Sequence, residues 1–175
     1  WLHIPFEAAC VLVRDRRAHR EAFALTPEYL EKTERGLASG ALWFSEYGLQ
    51  LSRGFRALKV WLSIKEHGLD RFGRLIDRNI AQAHELAALV QAAPDLELLA
   101  PVATNIACFR YNPGGLSDEQ LNALNEELLI RLHESGIAAP SYTTLDGRYC
   151  LRAAIVNFRT TSADLPVLIG AVREI

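Results

Sequence analysis

The sequence predicts an α/β fold whose second half is a small sandwich: a mainly antiparallel sheet with helices on one face. An arm, a long loop and two helices precede it. Three observations predict this. From Leu96 onward the patterning runs strand, strand, helix, strand, strand, helix. Asp146-Gly147 stands between two strand-like runs, the strongest short hairpin signal in the chain. Apolar residues recur at three- and four-residue intervals from about Asp70 to Ala92, a spacing that a helix gathers on one face.

The elements follow in order. "AACVLVR" (Ala8–Arg14) is a short β-branched run and predicts a buried strand. "DRRAHREAFA" (Asp15–Ala24) predicts a short helix with Asp15 as N-cap, and Thr26-Pro27 ends it because proline donates no amide proton. From Tyr29 to about Leu51 no period is sustained. A stretch of that length without regular structure is a connector or an active-site loop, and composition does not separate the two. "RGFRALKVWLSIKEHG" (Arg53–Gly68) is a helix with Phe55, Leu58, Trp61, Leu62 and Ile64 near one stripe and Gly68 as C-cap. The next helix carries Phe72, Leu75, Ile76, Ile80, Ala83, Leu86, Leu89 and Val90 inward and stops before Pro94. "LELLA" (Leu96–Ala100) and "NIACFRYN" (Asn105–Asn112) are strands. Ser117 with Gln120 forms a capping box that opens a helix to Gly136, and Ser162 caps a closing helix to Ile175.

Composition bounds the function. The chain has 175 residues, 50% of them hydrophobic and 23% charged, with a net charge of −2, so no basic face points to a polyanion and no nucleic-acid partner is expected. Apolar runs fall short of a membrane span, and no membrane partner is expected. Cys10, Cys108 and Cys150 sit in strand-like segments at spacings that suit neither a zinc site nor a disulfide framework; they read as buried free thiols in a reducing, cytoplasmic setting. The five histidines are dispersed, and no metal is expected. The chain begins at Trp1, without Met and without a charged leader.

No strong catalytic signature stands in the residues alone. Two positions rise above background. Tyr29 opens the long loop, where its hydroxyl either reaches a site on closure or packs on the neighbouring helix. Arg152 lies in the apolar strand "YCLRAAIVN"; a guanidinium there needs an anion or a carbonyl, which makes it a structural ion pair or a clamp for a ligand carboxylate.

Five stretches in order, "WLHIPFEAACVLVRD", "TPEYL", "LSRGFRALKVW", "ACFRYNP" and "YCLRAAIVNFRTT", resemble the C-terminal part of group II pyridoxal-phosphate-dependent amino acid decarboxylases, most like the aromatic-L-amino-acid decarboxylase branch. The resemblance implies the C-terminal part of a fold-type-I enzyme. Residues 1–52 would end the large, cofactor-binding domain and carry the catalytic loop, 53–93 would be linking helices, and 94–175 the small α/β domain. It implies pyridoxal 5′-phosphate as cofactor, an amino acid substrate and a homodimer with active sites at the interface. Trp1 would follow the cofactor lysine directly and wall the pocket; the lysine, the aspartate on the pyridine nitrogen and the histidine stacked on the ring belong upstream. Tyr29 would be the acid that protonates Cα, and Arg152 would lie near the substrate carboxylate. Leu51 and Ser52 match a stretch near the cofactor where relatives more often carry glycine than serine. The aromatic residues Trp43, Phe44 and Tyr47 fit an aromatic substrate. The alternatives are another fold-type-I enzyme, an aminotransferase or lyase, and a cofactor-free α/β binding module.

Overall fold

The computed structural model describes residues 1–5, 7–24, 33–36, 39–40 and 42–174. They divide into two units, Leu2–Glu66 and His67–Ile175, the second joined by Trp1.

In the second unit, β1 (Leu96–Leu98), β2 (Ile106–Tyr111), β3 (Ser141–Leu145) and β4 (Arg148–Ala154) form one sheet in the order β1-β2-β4-β3, every neighbouring pair antiparallel. Side chains alternate across a strand. Ala107 and Phe109 therefore pair with Ala153 and Leu151 on the face toward the helices, and all four are buried in the core. The helices on that face are α3 (Leu69–Ala92), α4 (Asp118–Ser135) and α5 (Asp164–Glu174), which supply Leu86, Val90, Leu128, Leu132, Leu165 and Val172. The expected antiparallel sheet with helices on one face is what forms.

Local signals explain the ends. Asp146 and Gly147 have φ of 50° and 78°, the double positive φ of a two-residue hairpin turn between β3 and β4. Ser117 caps α4 and the Gln120 side chain returns to the Ser117 amide, so the expected capping box is present. The expected cap at Ser162 is not: its hydroxyl donates instead to Glu85 at 2.6 Å, and α5 begins at Asp164, whose carboxylate accepts from the Thr161 amide and hydroxyl. A competing acid on α3 has taken the donor.

Polar side chains complete the sheet. Asn125, fully buried on α4, accepts from the Tyr111 amide at 2.7 Å and donates to the Tyr111 carbonyl at 2.8 Å. One turn earlier, Asn122 does the same for Tyr149 N–H and Gly147 C=O. Both close backbone groups that the ladder leaves open.

On the other face of the sheet, Arg110 is 4% exposed and bonded to Glu97 at 2.8 Å and to Asp118 at 2.9 Å. Glu97 also takes Asn112 and Arg148. Burial pushes the Glu97 carboxyl upward, but the bonds from Arg110 and Asn112 and the charges of Arg110 and Arg148 outweigh it, so its pKa is lowered. A depressed carboxylate stabilises the fold above the unfolded value of about 4.3 and loses that contribution as pH falls through the folded value. Glu97→Gln is therefore expected to cost about 2 kcal/mol near neutrality, with the gap from wild type closing in acid. Urea melts across pH measure it, and a gap independent of pH would remove the charge from the account.

In the Leu2–Glu66 unit, α1 (Arg16–Phe23) is capped as expected by Asp15, which accepts from Arg17 and Ala18 amides at 2.8 and 3.2 Å. Its Arg20 makes two 2.9 Å bonds to Glu46, a buried acid on the 3-10 turn Phe44–Tyr47. The helix α2 (Arg56–His67) forms, but none of its residues is buried. The strand expected over Ala8–Arg14 does not form: Val11 and Leu12 are 78% and 93% exposed. A β-branched run states a readiness to pair, and no described segment offers these residues a partner ladder.

Candidate active site

Arg152 is built from the sheet upward. On β4 it stands opposite Cys108 of β2 and Ser141 of β3. Its Nη1 donates to Ser141 Oγ at 3.2 Å, while that hydroxyl donates to the Arg152 carbonyl at 3.2 Å. No carboxylate of the described residues lies within ion-pair distance of it. Of the two readings left by the sequence, the structural ion pair is therefore not the one found. Most of the guanidinium's five donors remain available.

Arg152 lines a cleft of about 460 Å³ with Leu86, Leu165 and Leu168 as apolar lining and Ser141, Thr160 and Asp164 as polar wall. Asp164 is the acid on this wall, and its carboxylate is committed to Thr161. The cleft's lining is thus apolar from the helix-side core and polar from Ser141, Thr160 and Asp164.

The loop after β4 that borders this cleft is fastened by α3. Gln82 donates to the Thr160 carbonyl at 2.7 Å, Asn79 donates to Gln82 at 3.1 Å, and Arg78 donates to the Phe158 carbonyl. Sequence reasoning missed these residues. The signal was present: two amides three apart on an otherwise apolar helical stripe, both buried.

The remaining expected residues are placed as follows. Tyr29 lies outside the described residues. Trp1 is 52% exposed and belongs to the unit of Arg152. Leu51 and Ser52 belong to the other unit; both are exposed, and Ser52 makes no hydrogen bond among the described residues. Cys10 is exposed, Cys108 half-buried and Cys150 buried, so the expectation of three buried thiols holds fully for Cys150 alone. No described helix is long and apolar enough to cross a membrane.

Residues 1–112 match the pyridoxal-dependent decarboxylase conserved domain. The aromatic-L-amino-acid decarboxylase of Bacillus atrophaeus is 36% identical over 166 residues, covering 94% of this chain and 34% of that protein. Phenylacetaldehyde synthase of Arabidopsis thaliana is 30% identical over 155 residues, covering 89% of this chain and 31% of its own. The crystal structure of Oryza sativa TDC with PLP and tryptamine superposes with a TM-score of 0.82 at 23% identity, over 93% of this chain and 34% of that one. The chain thus spans about a third of the length of these relatives.

Proposed function

This chain belongs to the pyridoxal-dependent decarboxylase family, and from that premise we propose that it is the C-terminal portion of an enzyme that decarboxylates an aromatic L-amino acid to its amine. In this reading residues 1–52 close the cofactor-binding domain, 53–93 link, and 94–175 form the small domain. The whole enzyme is a cytoplasmic homodimer with active sites at the interface. The observation that carries the reading is Arg152: a half-buried arginine without a carboxylate partner among the described residues, on a strand that contributes to the lining of a cleft.

The chemistry of the residues present fits the rim of a pyridoxal phosphate site. Ser52 has an uncommitted hydroxyl for a phosphate oxygen, and Trp1 has an exposed indole for a pocket wall. The two lysines among the described residues are engaged elsewhere: Lys59 donates to the Pro5 carbonyl at 2.8 Å and Lys65 lies over the Trp61 ring. Ser52, Leu51 and Trp1 are thus the residues of this chain that would border the cofactor. When bound, the cofactor supplies an electron sink for the pair left behind as carbon dioxide departs.

The chain's own residues do the rest. Arg152 binds and orients the substrate carboxylate, which fixes the bond to be broken. Trp1 limits the space beside it. In this reading the Tyr29 phenol gives a proton to Cα. The aromatic residues Trp43 and Tyr47 favour an aromatic substrate.

Product analysis tests the proposal. The intact enzyme with pyridoxal phosphate and an aromatic L-amino acid is expected to release carbon dioxide and amine in equal amounts. Keto acid in place of amine would assign it to transamination, and aldehyde in place of amine would assign it to the chemistry for which the Arabidopsis relative is named.

A further inference from the structure

The face of the sheet turned away from the helices carries two thiols on its central strands. The register pairs Cys108 of β2 with Arg152 of β4. Ile155 N–H donates to Asn105 C=O at 2.9 Å, so the 105/155 position is hydrogen-bonded; alternation makes Cys108/Arg152 a non-hydrogen-bonded pair, the kind whose side chains stand closest. Cys150 lies two residues before Arg152 on β4 and shares its face, which makes it the diagonal neighbour of Cys108. The two thiols differ in access. Cys150 is buried, and its Sγ donates to the Thr143 carbonyl at 3.3 Å; Cys108 is half-buried. Burial first, and then the neighbouring Cys108, push the Cys150 thiol up to about 11, which marks the two sulfurs as interacting.

We propose that Cys108 and Cys150 are a redox pair that closes to a disulfide by exchange with a low-molecular-weight disulfide such as oxidised glutathione. Cys108, the more exposed, attacks as thiolate and displaces one glutathione, leaving a mixed disulfide. Cys150, in the small thiolate fraction that its raised pKa leaves and which alkaline buffer enlarges, passes its proton to the first released glutathione, attacks the Cys108 sulfur, forms the Cys108–Cys150 bond and displaces the second glutathione. The two protein thiols lose two electrons, the glutathione disulfide gains them, and the two thiol protons end on the released glutathiones.

Closing the bond has a structural consequence. Diagonal Cα atoms stand about 7–8 Å apart, whereas a disulfide holds them within about 6.8 Å. The strands must therefore draw together, by up to about 1 Å, beside Arg152, the residue opposite Cys108. Resting on the reading of Arg152 as the carboxylate anchor, oxidation weakens substrate binding and reduction restores it.

The test uses the intact enzyme incubated with oxidised glutathione, digested without reduction and examined by mass spectrometry. A linked peptide joining Cys108 to Cys150 is expected in wild type and in Cys10→Ser. Cys150→Ser should stop at glutathione on Cys108, and Cys108→Ser should give no linked peptide. Wild type that stops at the mixed disulfide, or reacts only at Cys10, overturns the pair. Kinetics of the oxidised enzyme separate the two readings. A several-fold rise in KM reversed by dithiothreitol supports both, whereas a linked peptide with unchanged KM keeps the redox pair and removes the carboxylate role of Arg152.

Discussion

Tyr29→Phe in the intact enzyme is expected to leave the bound-cofactor absorbance unchanged and to lower the rate of amine release by about 10²–10⁴-fold, the range of a positioned proton donor. The substitution removes one oxygen and keeps the ring, so the loss falls on proton delivery. The carbon that has lost carbon dioxide must still discharge its electrons. With the phenol gone, part of the flux is expected to leave as an oxidised carbonyl product instead of amine. The relative named phenylacetaldehyde synthase shows that an aldehyde-named enzyme shares this part of the chain at 30% identity. Chromatography of amine and aldehyde from one incubation reads both effects. Amine yield equal to wild type would end the proton-donor role of Tyr29.

The prediction depends on "TPEYL" and on the chemistry of the step, since Tyr29 lies outside the described residues. Elsewhere, what the sequence revealed follows from the range of the forces concerned. Turns, caps and periods are decided within a few residues, so the Asp146-Gly147 hairpin, the Ser117 capping box and the α3 stripe were all readable. Pairing is decided at a distance. "AACVLVR" has strand chemistry and no strand, because its ladder requires a partner that the local sequence does not specify. Ser162 had cap chemistry and lost its hydroxyl to Glu85, 77 residues earlier. Asn79 and Gln82 interrupt an apolar stripe to hold a loop that is remote in sequence. Ser162, Asn79 and Gln82 are polar groups satisfied across the fold.

The candidate site divides the same way. That Arg152 is charged within an apolar strand was legible; what it lacks was not. Only the positions of the acids show that Glu97 and Asp118 are spent on Arg110, and that Asp164 is spent on Thr161. The fold supplies Arg110 with two carboxylates and leaves Arg152, on the same face, with a serine hydroxyl. An arginine whose side-chain partner is a hydroxyl keeps donors to offer an anion, which is the basis of the proposed carboxylate role of Arg152.

Arg152→Ala is therefore expected to raise KM for the amino acid by about 10–100-fold, the equivalent of one charge-assisted hydrogen bond at about 1.5–3 kcal/mol. Arg152→Lys should fall between alanine and wild type, since an ammonium keeps the charge but not the paired donors that match a carboxylate. The fold should be nearly indifferent to either change, because Ser141 is the side-chain partner that is lost; thermal melts within about 2 °C of wild type would confirm it. The deciding control is the product amine, which has no carboxylate. Its inhibition constant should be the same in wild type and Arg152→Ala, because only the acid group meets the guanidinium. If amine and amino acid weaken together, Arg152 shapes the pocket and does not read the carboxylate. If neither weakens, the anion for which this guanidinium is held open is not the substrate's.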